Sequence, residues 1–365
     1  LGDVYKRQTE DKIKAFAVGG VDFVTKPFQL EEVLARVETH LALRRLQKEL
    51  QRANDELERR VQERTAELVR LNAALERFVP HEFLGFLHKS SITEVQLGDG
   101  VQQEMTILFS DMRDFTPRSE RMSPQENFDF MNDHLGRVSP IIRQHRGLID
   151  KYLGDGIMAL FPEAADDAIQ AAIAMQRAVA HHNAQLDGQG SPPIHIGVGL
   201  HTGTLMLGII GEERRVQGTV ISDAVNLTSR MEELTKVYGV SIVASGQTLS
   251  RAQNAEMYHS RFLDHIQVRG KQEPVSVFEI LDGDDERDIE LKLRTRPAFE
   301  KGLCLYQRQR FAEASVHFSR VLEQNPGDKA ARLYLQRAAY YMVHGAPPEW
   351  TYGERLAQEQ ELSCC

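Results

Sequence analysis

Met105-Thr-Ile-Leu-Phe-Ser-Asp-Met-Arg-Asp-Phe-Thr116 and Lys151-Tyr-Leu-Gly-Asp-Gly156 are the stretches on which the fold turns. Each sets a carboxylate at the end of a short apolar run of strand type, or in the turn just after it. A strand can hold a charged group rigidly at its edge without burying it. Asp111 and Asp155 are therefore candidates for one shared metal site. Taken alone, Gly154-Asp155-Gly156 also reads as a plain hairpin turn, and Asp114 as the cap of a helix or turn.

Outward from these stretches, helical and strand patterns alternate. The spacing predicts a strand over 104–110, a helix over 124–144, a hairpin over 148–161, a helix over 165–185, a hairpin over 194–211 and a helix over 222–237, then further short strands and a helix. Alternation with an inserted hairpin is the pattern of an α+β domain with a ferredoxin-like split βαβ sheet, here over 101–282. Helices are expected on one face, leaving the other for a partner or ligand.

Composition narrows the function. The chain has 365 residues, 41% hydrophobic and 27% charged, enough for two or three domains and a sizeable core. A net charge of −9 argues against a general nucleic-acid binder, which shows a basic field. Cys304, Cys364 and Cys365 have neither zinc-ligand nor disulfide-framework spacing, so a reducing compartment is expected. No apolar run approaches the roughly 18 residues that span a bilayer, and no signal-peptide pattern opens the chain. The expectation is a cytoplasmic protein with no membrane insertion.

Residues 101–282 closely resemble the class III nucleotide cyclase catalytic domain. The resemblance is carried by Phe109-Ser-Asp111 with Asp114-Phe-Thr116, Asp150-Lys-Tyr-Leu-Gly-Asp155-Gly156, Gly197-Val-Gly-Leu-His-Thr-Gly203 with Gly208-Ile-Ile-Gly211, and Gly218-Thr-Val-Ile-Ser-Asp-Ala-Val-Asn-Leu-Thr-Ser-Arg230. It implies attack of a ribose 3′-hydroxyl on its own α-phosphate, with two divalent ions, Mg²⁺ or Mn²⁺, about 3.5–4 Å apart and bridged by Asp111 and Asp155. Hard oxygen ligands suit those ions. Backbone amides of 112–116, with Phe115 and Thr116, would receive the triphosphate. Asn226 and Arg230, four apart and so on one helix face, would orient the ribose and stabilise the developing charge; otherwise Arg230 would simply pair with Glu232 or Glu233. Lys271 would contact the phosphates.

Base choice would fall to Lys151 and Thr219. A lysine donor and a hydroxyl suit adenine, so the resemblance implies ATP as substrate and adenylate cyclase as the activity. Guanylate cyclase and a catalytically inactive dimeric scaffold are the alternatives; no Gly-Gly-Asp/Glu-Glu-Phe signature marks a diguanylate cyclase. In homodimers of the family the metal aspartates come from one subunit and Lys151, Thr219, Asn226 and Arg230 would come from the other.

The flanks read as separate segments. Residues 9–20 have helical spacing, 21–25 alternate like a strand, Lys26-Pro27 follows, and 31–46 are amphipathic. Residues 1–42 resemble the C-terminal half of a bacterial response-regulator receiver domain, with Lys26 and Pro27 matching its Lys-Pro pair, whose bond is usually cis. An ordinary helix–strand–helix piece is the plainer alternative. The resemblance implies an upstream sensor histidine kinase; the phosphoacceptor aspartate would lie before this stretch, and residues 1–8 read as a truncated or foreign start. Over 43–79, Leu50, Leu57, Leu71 and Phe78 alternate with Val61, Leu68 and Leu75 as a heptad seam, interrupted at Arg64 and with Asn54 to fix register. A parallel coiled coil is expected, a solvated single helix being the alternative. Residues 80–100 form a short helix and connector. After an acidic linker over 282–288, residues 290–345 resemble a tetratricopeptide-type helical hairpin plus one helix, which must pack on the catalytic domain or on a partner. The tail 346–365 has Trp350 and little pattern.

Overall fold

Residues 13–17 are helical (α1), whereas 21–24, expected as a strand, stay irregular. No strand lies beside them among the described residues, and a lone strand leaves its N–H and C=O groups without ladder partners. The Lys26–Pro27 bond is cis. Helix α2 (Leu30–Leu75) then runs unbroken across the expected 42/43 boundary. At about 1.5 Å per residue it is roughly 69 Å long. Its seam residues Leu50, Leu57, Val61, Leu68 and Leu71 are between 55% and 70% exposed, so the unit by itself buries none of them. Ion pairs along the helix, such as Arg59 with Glu56 and Glu63, add little each in water.

The computed structural model describes residues 13–24, 26–27, 29–75, 81–186, 192–212, 215–267, 274–346 and 350, and divides into two compact units, Leu1–Phe78 and Val79–Cys365. In the second unit α3 (His81–Phe86) leads to β1 (Gly100–Met112), α4 (Phe115–Ser119), α5 (Pro124–Gln144), β2 (Leu148–Leu153), β3 (Gly156–Phe161), α6 (Ala165–Leu186) and β4 (Ile196–Glu212). There follow β5 (Arg215–Ile221), α7 (Asp223–Tyr238), β6 (Ile242–Ser245), α8 (Gly246–Arg251), β7 (Ser260–Ile266) and β8 (Val275–Ile280). The sheet order is β2-β3-β1-β4-β6-β8-β7, with β5 pairing β4. A Ser123–Glu126 capping box and Pro124 start α5 where the sequence predicts it.

Two expectations fail here. The stretch 194–211 is not a hairpin: 196–212 form one strand, whose turn comes only before β5. Nor do the helices share one face. Leu108 and Met112 of β1 and Val198 and Leu200 of β4 face α5 and α6 in one core cluster. Alternate residues face the other way, where Leu227, Met231 and Leu234 of α7 join Val243 and Val277 in a second. The glycines explain both. A Cβ on Gly199 would collide with the backbone of Glu232, and one on Gly197 with the Thr235 side chain. These glycines make room for a helix rather than a turn.

Beyond the sheet lie α9 (Glu286–Gln307), α10 (Phe311–Gln324) and α11 (Lys329–His344). They settle the open choice over 290–345, because Tyr238 of α7 stacks on Tyr334 of α11 (centroids 6.2 Å apart) within one core containing Phe299, Tyr306 and Phe318. The acidic run is structured too: Asp282 accepts from the His259 amide at 2.8 Å, and Asp285 caps α9. Trp350 docks on Tyr306, Phe311 and Tyr341 and donates to Gln307 O at 3.1 Å, so this part of the tail is anchored. At the seam, Arg261 of β7, 1% exposed, bonds Glu279 at 2.7 Å and Asp328 at 2.5 Å, and Lys292 bonds Glu279 at 2.7 Å. No described helix is long and apolar enough to cross a membrane.

Removing one member of a buried charge network leaves the others uncompensated. Arg261→Met is expected to destabilise the protein by about 3–5 kcal/mol, whereas Arg59→Ala on the exposed face of α2 is expected to leave the unfolding midpoint unchanged. Urea unfolding of the two variants checks this.

Candidate active site

Asp111 lies one residue before the end of β1, opposite Gly197 of β4. Asp155 lies in the two-residue turn between β2 and β3, where Gly154 takes the left-handed conformation (φ 67°). The turn reading and the site reading of Asp155 are thus compatible. The turn approaches β1 closely, since a Cβ on Gly156 would lie 3.0 Å from Ser110 O and 3.3 Å from Asp111 Oδ1. The two carboxyl groups lie close enough to influence each other. Burial first, and then the Asp111 charge, push Asp155 up to about 6, against the pull of the amides of Asp155 and Met112. Converging like charges with hard oxygen donors fit a divalent cation, which would relieve their repulsion. Among the described residues no group of three or more His, Cys, Asp or Glu converges, so other ligands would come from backbone, water or substrate oxygens.

Helix α7 is capped by Ser222, whose Oγ accepts from Val225 N at 3.2 Å, and ends at left-handed Gly239. Its last turns face the carboxylates: Lys236 Nζ donates to Asp111 Oδ2 at 2.8 Å and lies 3.6 Å from Glu232 Oε1. Burial, more than the charges of Asp111 and Glu233, pushes Glu232 up to about 7, with Lys236 opposing. Sequence reasoning missed Lys236 at this site, because Glu232 and Lys236 at i,i+4 look like an ordinary surface pair. It missed Arg113 as well, whose guanidinium donates to Thr235 O at 3.1 Å and to Val240 O, binding β1 to the C-terminal end of α7.

Asn226 and Arg230 lie elsewhere on α7. Asn226 is exposed and Arg230 half-buried, and neither makes a hydrogen bond or ion pair among the described residues; Arg230 does not pair with Glu232 or Glu233. At about 1.5 Å rise and 100° per residue, Asn226 sits roughly 15 Å along the axis from Lys236 and about 80° around it. One chain therefore does not bring Asn226 to its own carboxylate pair.

Lys151 and Thr219 do meet, Nζ donating to Oγ1 at 2.8 Å. In a flat sheet β2 and β5 would be about 19 Å apart, four strand spacings. The β4–β5 arm bends over the sheet, with Val220 joining Leu148 and Met158 in one cluster under Phe83 of α3. Phe115 is half-buried against the α5/α6 core and Thr116 is exposed in the first turn of α4. Asp114, left-handed at φ 55°, precedes α4 without a side-chain capping bond. Of the amides over 112–116, that of Met112 faces the Asp155 carboxylate and that of Arg113 is committed to His195 O at 2.8 Å. Lys271 lies outside the described residues.

This sheet, with a carboxylate pair at the end of its central strand, is that of a nucleotide cyclase. Residues 99–280 match the family described as the adenylate and guanylate cyclase catalytic domain, so the chain carries a class III nucleotide cyclase catalytic domain. The chain is 40% identical over 213 residues to an adenylate cyclase of Anabaena cylindrica, covering 57% of this chain and 42% of that protein. It is 36% identical over 273 residues to the terminal-differentiation specific adenylate cyclase of Dictyostelium discoideum, covering 73% of this chain. The chain spans only 13% of that second relative's length. A bacterial light-regulated adenylyl cyclase structure shares the fold, at a TM-score of 0.54 and 21% identity over 62% of this chain and 65% of that one.

Asp155 has a folded pKa raised from 3.8 to about 6, so its contribution to stability is full below about pH 4 and is lost as pH rises through about 6. Without metal, Asp155→Asn is expected to match the wild-type Tm near pH 4, to exceed it near pH 7, and to show no Tm rise on adding Mn²⁺. Thermal unfolding across pH, with and without Mn²⁺, checks all three.

Proposed function

We propose that the protein is an adenylate cyclase that converts ATP to 3′,5′-cyclic AMP and pyrophosphate at sites shared between two copies of the chain. The observation that carries this reading is that one chain holds assembled but separated parts. Lys236 turns one end of α7 toward Asp111, and Asn226 lies about 15 Å back along the helix. A second copy placing its Asn226 and Arg230 over the carboxylate pair of the first would complete the site, and symmetry would give two.

In such a site the Lys151 ammonium would donate to adenine N1, and the Thr219 hydroxyl would meet the 6-amino group. Guanine presents a donor at N1, which a lysine cannot accept. Asn226 would orient the ribose so that O3′ faces the α-phosphorus. The O3′–P bond forms as the 3′-hydroxyl gives up its proton, and the bond from the α-phosphorus to the bridging oxygen breaks as pyrophosphate leaves. Arg230 would hold the charge that builds on the phosphoryl oxygens, as a fixed guanidinium does well. The free amides of the β1–α4 junction, with Phe115 and Thr116, would seat the triphosphate, and Lys271 would add a cation there. Two divalent ions, Mg²⁺ or Mn²⁺, held by Asp111 and Asp155 would supply charge stabilisation at the attacking and leaving oxygens.

The exposed seam of α2 supports a parallel coiled coil that holds two catalytic units in register. Residues 1–42 would belong to a receiver that answers a sensor kinase in the cytoplasm.

Purified protein with Mn²⁺ or Mg²⁺, offered ATP and GTP separately, is expected to give cyclic AMP from ATP alone, identified chromatographically. Lys151→Glu should lower kcat/KM for ATP by roughly 10- to 150-fold, the worth of a hydrogen bond from a charged group. Cyclic GMP at a comparable rate, or no cyclic product from folded dimer, contradicts the reading.

A further inference from the structure

Strand β2 does not pair with β3 in unbroken register. Ile149 lies opposite Ala159 and Lys151 opposite Met158, so Asp150 is the extra residue of a β-bulge. A bulge bends its strand and re-aims the side chains beside it. Here it sets the Asp150 carboxylate against its neighbour: Oδ2 lies 3.1 Å from Lys151 Nζ, the ammonium that also reaches Thr219. The Asp150 side chain is 1% exposed, that of Lys151 29%. Oδ2 is buried and has no partner in hydrogen-bond geometry, so what faces it is the charge of Lys151.

A buried carboxylate with one partly exposed counter-ion is a costly arrangement. Burial pushes the Asp150 pKa up, and Lys151 only partly restores it. What the arrangement provides is placement. A lysine is a point charge on a flexible four-carbon stem, and left alone it spreads its donor over many positions. Held between a buried carboxylate and the Thr219 hydroxyl, it presents that donor in one.

We propose that Asp150 is a positioning residue for purine selection, holding the Lys151 ammonium against Thr219 so that it meets the purine edge in a fixed place. This rests on Lys151 and Thr219 being the purine site. Asp150 does not touch substrate in this account; it acts through Lys151.

The test is steady-state kinetics with ATP and with GTP on the full chain, for the wild type, Asp150→Asn, Lys151→Met and the double variant, with a Tm for each. The ratio of kcat/KM for ATP to that for GTP decides, because it does not depend on how much of a preparation is folded. Asp150→Asn keeps the shape and removes the buried charge. It is expected to raise KM for ATP about 10-fold, to cut the ATP/GTP ratio by a similar factor, and to leave kcat for ATP within about 2-fold. The double variant should match Lys151→Met alone, since contacting residues that act as one are not additive. If Lys151→Met leaves the ratio unchanged, the purine site itself is misassigned and the role of Asp150 falls with it. If Lys151→Met lowers the ratio while Asp150→Asn does not, whatever its Tm, the purine site stands and only the role of Asp150 is overturned. Additive effects in the double variant would overturn it as well.

Discussion

The catalytic unit depends on the contact between α7 and the part of β4 that carries no side chains. Gly197 and Gly199 let the helix backbone lie against the strand, and no other residue fits, because a Cβ would occupy the place of Thr235 or Glu232. With the helix this close, Lys236 reaches Asp111 and Arg113 reaches the C-terminal carbonyls of α7. The same packing fixes the faces that α7 turns away from the sheet. Among the described residues Asn226 and Arg230 make no hydrogen bond or ion pair, which leaves them available to a shared site.

This packing is also anchored from behind. Tyr238, in the last turn of α7, stacks on Tyr334 of α11, and its hydroxyl donates to Asp264 of β7 at 2.8 Å. The Arg261, Glu279, Asp328 and Lys292 network joins the edge of the sheet to α9 and α11 with charges that are almost wholly buried. Such a network adds little net stability compared with an apolar core, but it penalises any arrangement in which one member loses its partner. The three C-terminal helices thus belong to the same body as the catalytic sheet.

Much of this was legible in the sequence where local chemistry and tertiary demand agree. The helical spacing over 124–144 and the Gly154-Asp155-Gly156 turn mark α5 and the β2–β3 hairpin, and the apolar run of β1 ends at its carboxylate as read. The aromatic and small residues of 299–334 that mark a helical pattern are those that form the C-terminal core. What failed were positions whose meaning depends on a distant element. Glycines in 197–203 look like turn residues until the helix they accommodate is known. Lys236 looks like half of a surface pair until β1 brings Asp111 beside it. The irregular stretch at 21–24 alternates like a strand, but no other described strand lies beside it.

The central claim is that metal carboxylates and the Asn226/Arg230 face act together only across two chains. Its most direct test is to co-express Asp111→Ala with Arg230→Ala and assay the isolated mixed dimer. Each variant alone should be inactive, and the mixed dimer, with one site of its two intact, should recover up to about half of the wild-type activity. A folded mixed dimer with no activity would contradict the shared site, as would an active homodimer of either variant.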